Sequence, residues 1–214
     1  RSDVSLLERI VGNLVSNARA LLRSYAISAD DSAVSYLPLA HMFERTCGHY
    51  PFLLAGGTVA YAQGLATVAE DVAAVRPTVL IAVPRVLERA YEAAVARIES
   101  GPLIGRGVVH RAFSVLNERA NRRYRGERVS PWLDVQCRVY DALIASRFRR
   151  AAGGRLRLIV SGGAPLDRRI GKILRVVGFT VVEGYGLTET SPVVCCGGLD
   201  DHLLGTVWKP LDGV

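Results

Sequence analysis

Hydrophobic residues recur along this chain in two alternating rhythms. Leu7, Ile10, Val11, Leu14, Ala18, Leu21 and Leu22 keep helical period behind Ser5 and Glu8, which have capping-box spacing, and predict an amphipathic helix from Ser5 to about Tyr25. Val34 to Leu37 reads as a strand stopped by Pro38, a helix follows from His41 to about Ala55, and Thr58 to Ala62 reads as a second strand after the turn Gly56-Gly57. A helix over Val68 to Val75 is closed by Pro77. Thr78 to Val83 is apolar almost throughout, as a strand covered on both faces requires. Pro84 then opens a helix from Arg85 to Ile98. Ser100 to Gly107 reads as a glycine-rich loop, and two long arginine-rich helices follow, over about Val108 to Arg125 and Trp132 to Arg150, the second ended by Gly153-Gly154. Leu156 to Val160 returns to strand, Asp167 to Val177 is helical, and Phe179 to Val182 is a short buried strand.

This alternation, with no internal repeat, predicts an α/β fold of alternating strands and helices with largely parallel sheets. The order strand, turn, helix, strand from Leu156 to Gly184 places two glycine turns at the carboxyl ends of parallel strands, facing one crevice. In open α/β sheets that edge is where ligands bind.

The residues of the two turns suit a nucleotide. In Glu183-Gly184-Tyr185-Gly186-Leu187-Thr188-Glu189-Thr190 the glycines let backbone approach a ligand and Tyr185 offers a flat face to a purine. Thr188 can donate to a phosphate oxygen, and Glu189 is a hard oxygen ligand of the kind Mg²⁺ takes beside waters and substrate phosphates. Gly162 and Gly163, in Ser161-Gly162-Gly163-Ala164-Pro165-Leu166, would expose backbone groups at the start of a helix. A third segment, Leu37-Pro38-Leu39-Ala40-His41-Met42-Phe43-Glu44-Arg45, puts a histidine and two apolar side chains just beyond a strand, where they could face an apolar substrate. Taken alone, each glycine segment also reads as an ordinary turn, and His41 as a satisfied core or surface histidine.

Composition narrows the class. Half of the 214 residues are hydrophobic and 22% are charged, which is ordinary for a globular domain able to bury a core. No apolar run is long enough to span a bilayer, and no signal peptide opens the chain, so a cytoplasmic location is the expectation. The four cysteines, Cys47, Cys137, Cys195 and Cys196, show no paired framework and are expected to be reduced. The net charge of +7 is carried by arginine, since Lys172 and Lys209 are the only lysines. The densest cluster, Arg119, Arg122, Arg123, Arg125 and Arg128, is read as a solvated helical face; no nucleic-acid module accompanies it.

Together the three segments resemble the adenylate-forming enzymes, and specifically the long-chain fatty acyl-CoA synthetases. Tyr185-Gly186-Leu187-Thr188-Glu189-Thr190 is similar to that family's adenine and Mg²⁺ motif. The resemblance extends to Ser161–Leu166, Leu37–His41, Arg76-Pro77-Thr78, Val83-Pro84-Arg85-Val86 and Gly205-Thr206-Val207-Trp208-Lys209-Pro210-Leu211, in order over about Asn13 to Val214. It implies a two-step ligation in which a fatty carboxylate attacks the α-phosphate of ATP, and the thiol of coenzyme A then displaces AMP. By this resemblance Tyr185 stacks on adenine; Gly162, Gly163, Ala164, Pro165, Glu183, Gly184, Gly186 and Leu187 form the nucleotide site; Thr188 binds the α-phosphate and Glu189 holds Mg²⁺. His41, Met42 and Phe43 would border the acyl substrate.

The departures from the family shape the expectation. Its lysine-bearing phosphate loop would stand where this chain has Arg1 to Glu8, and its ribose-binding aspartate, hinge and carboxy-terminal domain would follow Val214. Residues 1–214 are therefore expected to be the central part of an AMP-binding domain, inactive alone. Two alternatives remain open at this point: a non-catalytic nucleotide-binding or scaffold module on the same fold, and a basic peripheral membrane protein using the arginine-rich helices.

Overall fold

A computed structural model describes residues 2–199, 204–207 and 209–212 of the chain. The apolar runs become short strands: β1 (Ser32–Ser35), β2 (Thr58–Tyr61), β3 (Val79–Ala82), β4 (Leu158–Ser161), β5 (Thr180–Gly186), β6 (Val193–Cys196) and β7 (Lys209–Pro210). Among the described residues they form one sheet in the order β2-β1-β3-β4-β5-β6-β7. From β2 to β5 the pairing is parallel, as the alternation of elements predicts; β5 then pairs antiparallel with β6, and β6 with β7.

Successive side chains on the central strands point to opposite faces and so build two cores. Val79, Ile81, Leu158, Val160 and Val182 pack under α1 (Ser2–Ser24) and α2 (Tyr50–Ala55), through Ala20, Leu21, Tyr25 and Phe52. On the other face Leu80, Ala82, Ile159 and Val181 pack against α3 (Val68–Val75), α4 (Pro84–Glu99), α5 (Leu103–Tyr124), α6 (Pro131–Tyr140), and α8 (Arg168–Val177), which follows the short α7 (Ser146–Ala151). Helices thus cover both sides of the parallel strands, and their carboxyl edge is left for the connecting turns.

The opposite, amino-terminal edge is tied by one polar network. Asp31, 6% exposed, accepts from Arg157 at 2.9 and 2.8 Å, from Thr78 Oγ1 at 2.6 Å and from the Ser28 amide at 3.0 Å. Arg157 also donates to the carbonyls of Tyr25 and Ala26. Burial by itself would raise the Asp31 carboxyl, but these hydrogen bonds and the Arg157 charge outweigh it and hold the group at about 2.

Several boundaries differ from the sequence reading. The first helix already includes Ser2, so Ser5 lies inside it and is not its cap, and the Ser5 carbonyl accepts from Arg9. Residues 103–107 are helical and not loop: Pro102 is extended and α5 begins behind it, its two early glycines tolerated because Ala112, Val115 and Leu116 bury the helix further on. The helix expected from His41 is a wide-turned π segment at Glu44–His49 that leads into α2. The helix expected over Trp132 to Arg150 likewise widens at Asp141–Ala145, and Arg149 grips Asp141 there at 2.8 and 2.7 Å. The glycine-tyrosine motif sits on β5 itself, which continues to Gly186, because β6 pairs with it after the parallel partner ends at Glu183. All four cysteines are free. Among the described residues no helix is long and apolar enough to cross a membrane. Trp208, part of the segment Gly205 to Leu211, lies outside the described residues.

Candidate functional site

Three connections rise from the carboxyl edge and meet. The turn after β4 is bound to the end of β3, where the Gly162 amide donates to the Ala82 carbonyl at 3.1 Å. The Phe43 ring presses on Gly162 so closely that a Cβ there would stand 2.6 Å from a ring carbon. Gly163 follows with φ of +82°, a left-handed conformation that glycine adopts without strain. These contacts bring the His41-Met42-Phe43 segment, which is far away in sequence, onto the glycine turn.

The third connection is the end of β5. Gly184 lies opposite Cys196 and Tyr185 opposite Cys195, with a register shift between Tyr185 and Gly186. A Cβ on Gly186 would overlap the Pro192 carbonyl. Thr188, Glu189 and Thr190 make a single 3₁₀ turn, pinned where Thr190 Oγ1 accepts from the Leu187 amide at 3.1 Å and donates to the Pro192 carbonyl at 2.6 Å. Asn17 of α1 clamps the same strand pair from below: its side-chain amide donates to the Val193 carbonyl at 2.7 Å and accepts from the Val193 amide at 3.4 Å.

Two cavities open between these connections and meet at His41, Phe43 and Gly163. The first, of about 250 Å³, is walled by Leu21, Met42, Phe43 and Val160, with Gly184, Tyr185, Gly186 and Thr188 along one side. The second, of about 550 Å³, runs from Leu37 and Pro38 past Val83 to Ala164 and Pro165. Both glycine turns therefore face one crevice, as the strand order predicts. Tyr185 is half exposed beside it. Leu187 and Glu189 are exposed on the 3₁₀ turn next to Thr188, Glu189 lining neither cavity.

Glu183 does something the sequence alone did not suggest. It is buried, with both carboxylate oxygens occupied by backbone: one accepts from the Leu166 amide at 3.2 Å and the other from the Gly205 amide at 2.7 Å. Its carboxylate fastens the turn after β4 to β5 and to the chain ahead of β7, and so positions the crevice. Four other residues escaped the sequence reading. Leu21 and Tyr25 wall the first cavity and Asn17 clamps β6, all from the buried side of α1, where periodicity announces only packing. Glu44, fully buried in the π segment, has no hydrogen bond of good geometry at either oxygen; burial pushes its carboxyl up to about 7, and the Ser35 hydroxyl offsets only part of that.

The chemistry on offer is an aromatic face, a hydroxyl and a carboxylate on one short turn, and left-handed backbone opposite. The described residues contain no cluster of three His, Cys, Asp or Glu side chains that could hold a metal ion. A Mg²⁺ ion that keeps waters and phosphates as its remaining ligands needs fewer: one carboxylate suffices, and the exposed Glu189 beside Thr188 fits that mode.

Comparison with known proteins shows the family. The chain is 32% identical over 220 residues to long chain acyl-CoA synthetase 3 of Arabidopsis thaliana, covering 99% of this chain and 31% of that protein. It is 35% identical over 181 residues to the long-chain-fatty-acid–CoA ligase FadD15 of Mycobacterium bovis, covering 83% of this chain and 29% of that protein. It thus spans about a third of the length of these relatives. Among solved structures, ATP-bound MatB from Rhodopseudomonas palustris superposes with a TM-score of 0.60 at 22% identity, over 94% of this chain and 30% of that one. The AMP-binding enzyme family matches residues 10–214, which is nearly all of the sequence, and the chain belongs to that family.

Proposed function

We propose that this chain forms the adenine- and acyl-binding part of an ATP-dependent long-chain fatty acid–CoA ligase, as the central part of its large domain. The observation that carries the proposal is the convergence of three sequence-distant turns on two joined cavities, one with Tyr185 and Thr188 along its side and one edged by Gly163, Ala164 and Pro165. The similarity to long-chain acyl-CoA synthetases supports the choice of substrate class.

In this reading the base lies over the Gly163-Ala164-Pro165 turn with Tyr185 stacked on it, and Gly162, Gly184, Gly186 and Leu187 keep backbone close to the nucleotide. The acyl group lies along Met42 and Phe43, with His41 bordering its carboxylate end. The carboxylate oxygen and the α-phosphorus then meet near Gly163, which both cavities share. Thr188 would donate to the α-phosphate, and Glu189 would hold Mg²⁺, whose charge would offset that of the phosphates. The P–O bond to pyrophosphate breaks as the bond from the carboxylate oxygen forms, and the thiol of coenzyme A later displaces AMP at the acyl carbon. The chain's own contribution is positioning, because the groups around the crevice are held by backbone hydrogen bonds before any ligand arrives.

Calorimetric titration with a non-hydrolysable acyl-adenylate mimic tests the reading. Binding is expected, weakened about tenfold by Tyr185→Ala through lost stacking. Glu189→Gln should leave that affinity unchanged while abolishing the Mg²⁺ dependence of ATP binding. An affinity unaffected by Tyr185→Ala would overturn the assignment.

A further inference from the structure

One surface of the helical excursion between β3 and β4 is left over by the ligation reading. Along α6 and the wide turn behind it, Trp132, Val135, Val139 and Leu143 are 69%, 50%, 50% and 48% exposed. Their spacing puts them on one side of the helix, in a stripe about 16 Å long at 1.5 Å per residue. The other side is firmly packed: Cys137, Ile144 and Ala145 are buried, and the Cys137 thiol donates to the Val115 carbonyl of α5 at 3.6 Å. The stripe is therefore the outer face of a seated helix.

Charge sorts itself across the same helix. The two acids of this stretch are paired with arginines of the same chain, Asp134 with Arg119 and Arg123 at 3.7 and 3.8 Å, and Asp141 with Arg149 at 2.7 Å. Arg128, just ahead of α6, and Arg138, Arg147 and Arg150, on α6 and α7, are exposed and make no ion pair among the described residues. Glu127, next to Arg128 in sequence, faces Arg125 at 3.7 Å. The outer face is thus apolar along its middle and positive at its margins.

We infer that this face docks on the headgroup surface of an anionic lipid bilayer, Trp132, Val135, Val139 and Leu143 entering the interface and the four arginines meeting lipid phosphates. Tryptophan suits that boundary because its ring is apolar and its N–H can stay in the wet layer. A second copy of the chain is a poorer occupant: two such faces would bring their exposed arginines together, while the acids of this stretch, Asp134 and Asp141, are already paired within their own chain. A nucleic acid would satisfy the arginines but leave four apolar side chains against phosphate. Lipid matches both features, with the helix lying in the plane of the surface and not crossing it.

The test is co-sedimentation of the chain with vesicles of phosphatidylcholine alone, and of phosphatidylcholine with about 30% phosphatidylglycerol. It needs no nucleotide, so its result is independent of the ligation reading. Wild type should partition at least about tenfold more strongly onto the anionic vesicles, and lose most of that advantage when salt rises from about 0.1 to about 0.5 M. Trp132→Ser with Val139→Ser should weaken partition to both vesicle types. Arg147→Gln with Arg150→Gln should lower only the anionic partition, by about fivefold per arginine. All of these side chains are exposed, so thermal unfolding of each variant should match wild type and show that the fold is intact. Equal partition onto the two vesicle types, or variants that bind as well as wild type, would overturn the inference. So would self-association in the absence of lipid that the Trp132→Ser/Val139→Ser variant abolishes, since that would make the stripe a contact between copies.

Discussion

A methyl group on Gly186 has no space, because it would overlap the Pro192 carbonyl while β6 pairing holds the backbone on both sides. Gly186→Ala is therefore expected to lower stability by about 2 kcal/mol, read as a lower urea midpoint with an unchanged slope. Glu44 makes a different prediction, about pH. Its folded carboxyl is raised by burial from 4.5 to about 7. Below pH 4.5 it is neutral in both states and contributes no pH dependence. Between 4.5 and 7 the unfolded chain has released the proton that the folded chain keeps, so stability falls as pH rises, by up to about 3 kcal/mol, and levels off above 7. Glu44→Gln should remove this decline, which unfolding in guanidinium at pH 5 and at pH 8 would reveal; a decline of equal size in the variant would contradict it. Neither behaviour is legible in the sequence. A glycine in a turn motif and an acid in a helical stretch are ordinary until a carbonyl and a core are placed against them.

Among the elements, the amino-terminal edge of the sheet depends on Asp31 as the carboxyl edge depends on Glu183. Asp31 joins the loop after α1 to the starts of β3 and β4, and its carboxyl is held at about 2 against an ordinary 3.8. That stability is present above pH 3.8 and is lost as pH falls from there through about 2, an amount near 2 kcal/mol. Asp31→Asn should therefore destabilise the chain by about 2 kcal/mol at pH 7, and the difference from wild type should shrink toward pH 2 in denaturant titrations. A constant difference would mean that packing, and not charge, makes the link. Strands and helices were largely legible at this scale: α3 follows its expected residues, and the central strands fall within two residues of their apolar runs. The π segments were not: helical periodicity does not report a widened turn, nor the pairing of Arg149 with Asp141, eight residues away, at the second of them.

At the scale of the whole molecule the crevice is a place where the sheet changes direction of pairing, from parallel at β4–β5 to antiparallel at β5–β6. The β5 backbone carries Glu183, which organises the turns, and Tyr185, which faces the crevice. Under the proposed function the chain by itself should bind Mg²⁺-ATP weakly and form no acyl-CoA. At a nucleotide concentration equal to its dissociation constant the gain in stability is about 0.4 kcal/mol, so thermal unfolding in millimolar Mg²⁺-ATP should move little. Submicromolar ATP binding, or thioester formation above a Glu189→Ala control, would show that these residues suffice for more than the reading allows.

The sequence by itself determined the alternation of elements, and with it the parallel strands and the shared edge of the two glycine turns. It could do so because apolar periodicity reports which face of each element is covered, and short right-handed connections leave few ways to join parallel strands. Its motifs also pointed to Tyr185, Thr188 and Glu189, whose residue types carry their chemistry with them. Only the tertiary structure decided that Phe43 rests on Gly162, that Glu183 spends both oxygens on backbone amides, and that Asp134 and Asp141 pair with Arg119 and Arg149 while Trp132, Val135, Val139 and Leu143 stay exposed. Each of these depends on groups distant along the chain, or on the rotation of a helix about its axis. Local pattern carries no information about which partner a polar side chain meets, and that choice is made when the layers close.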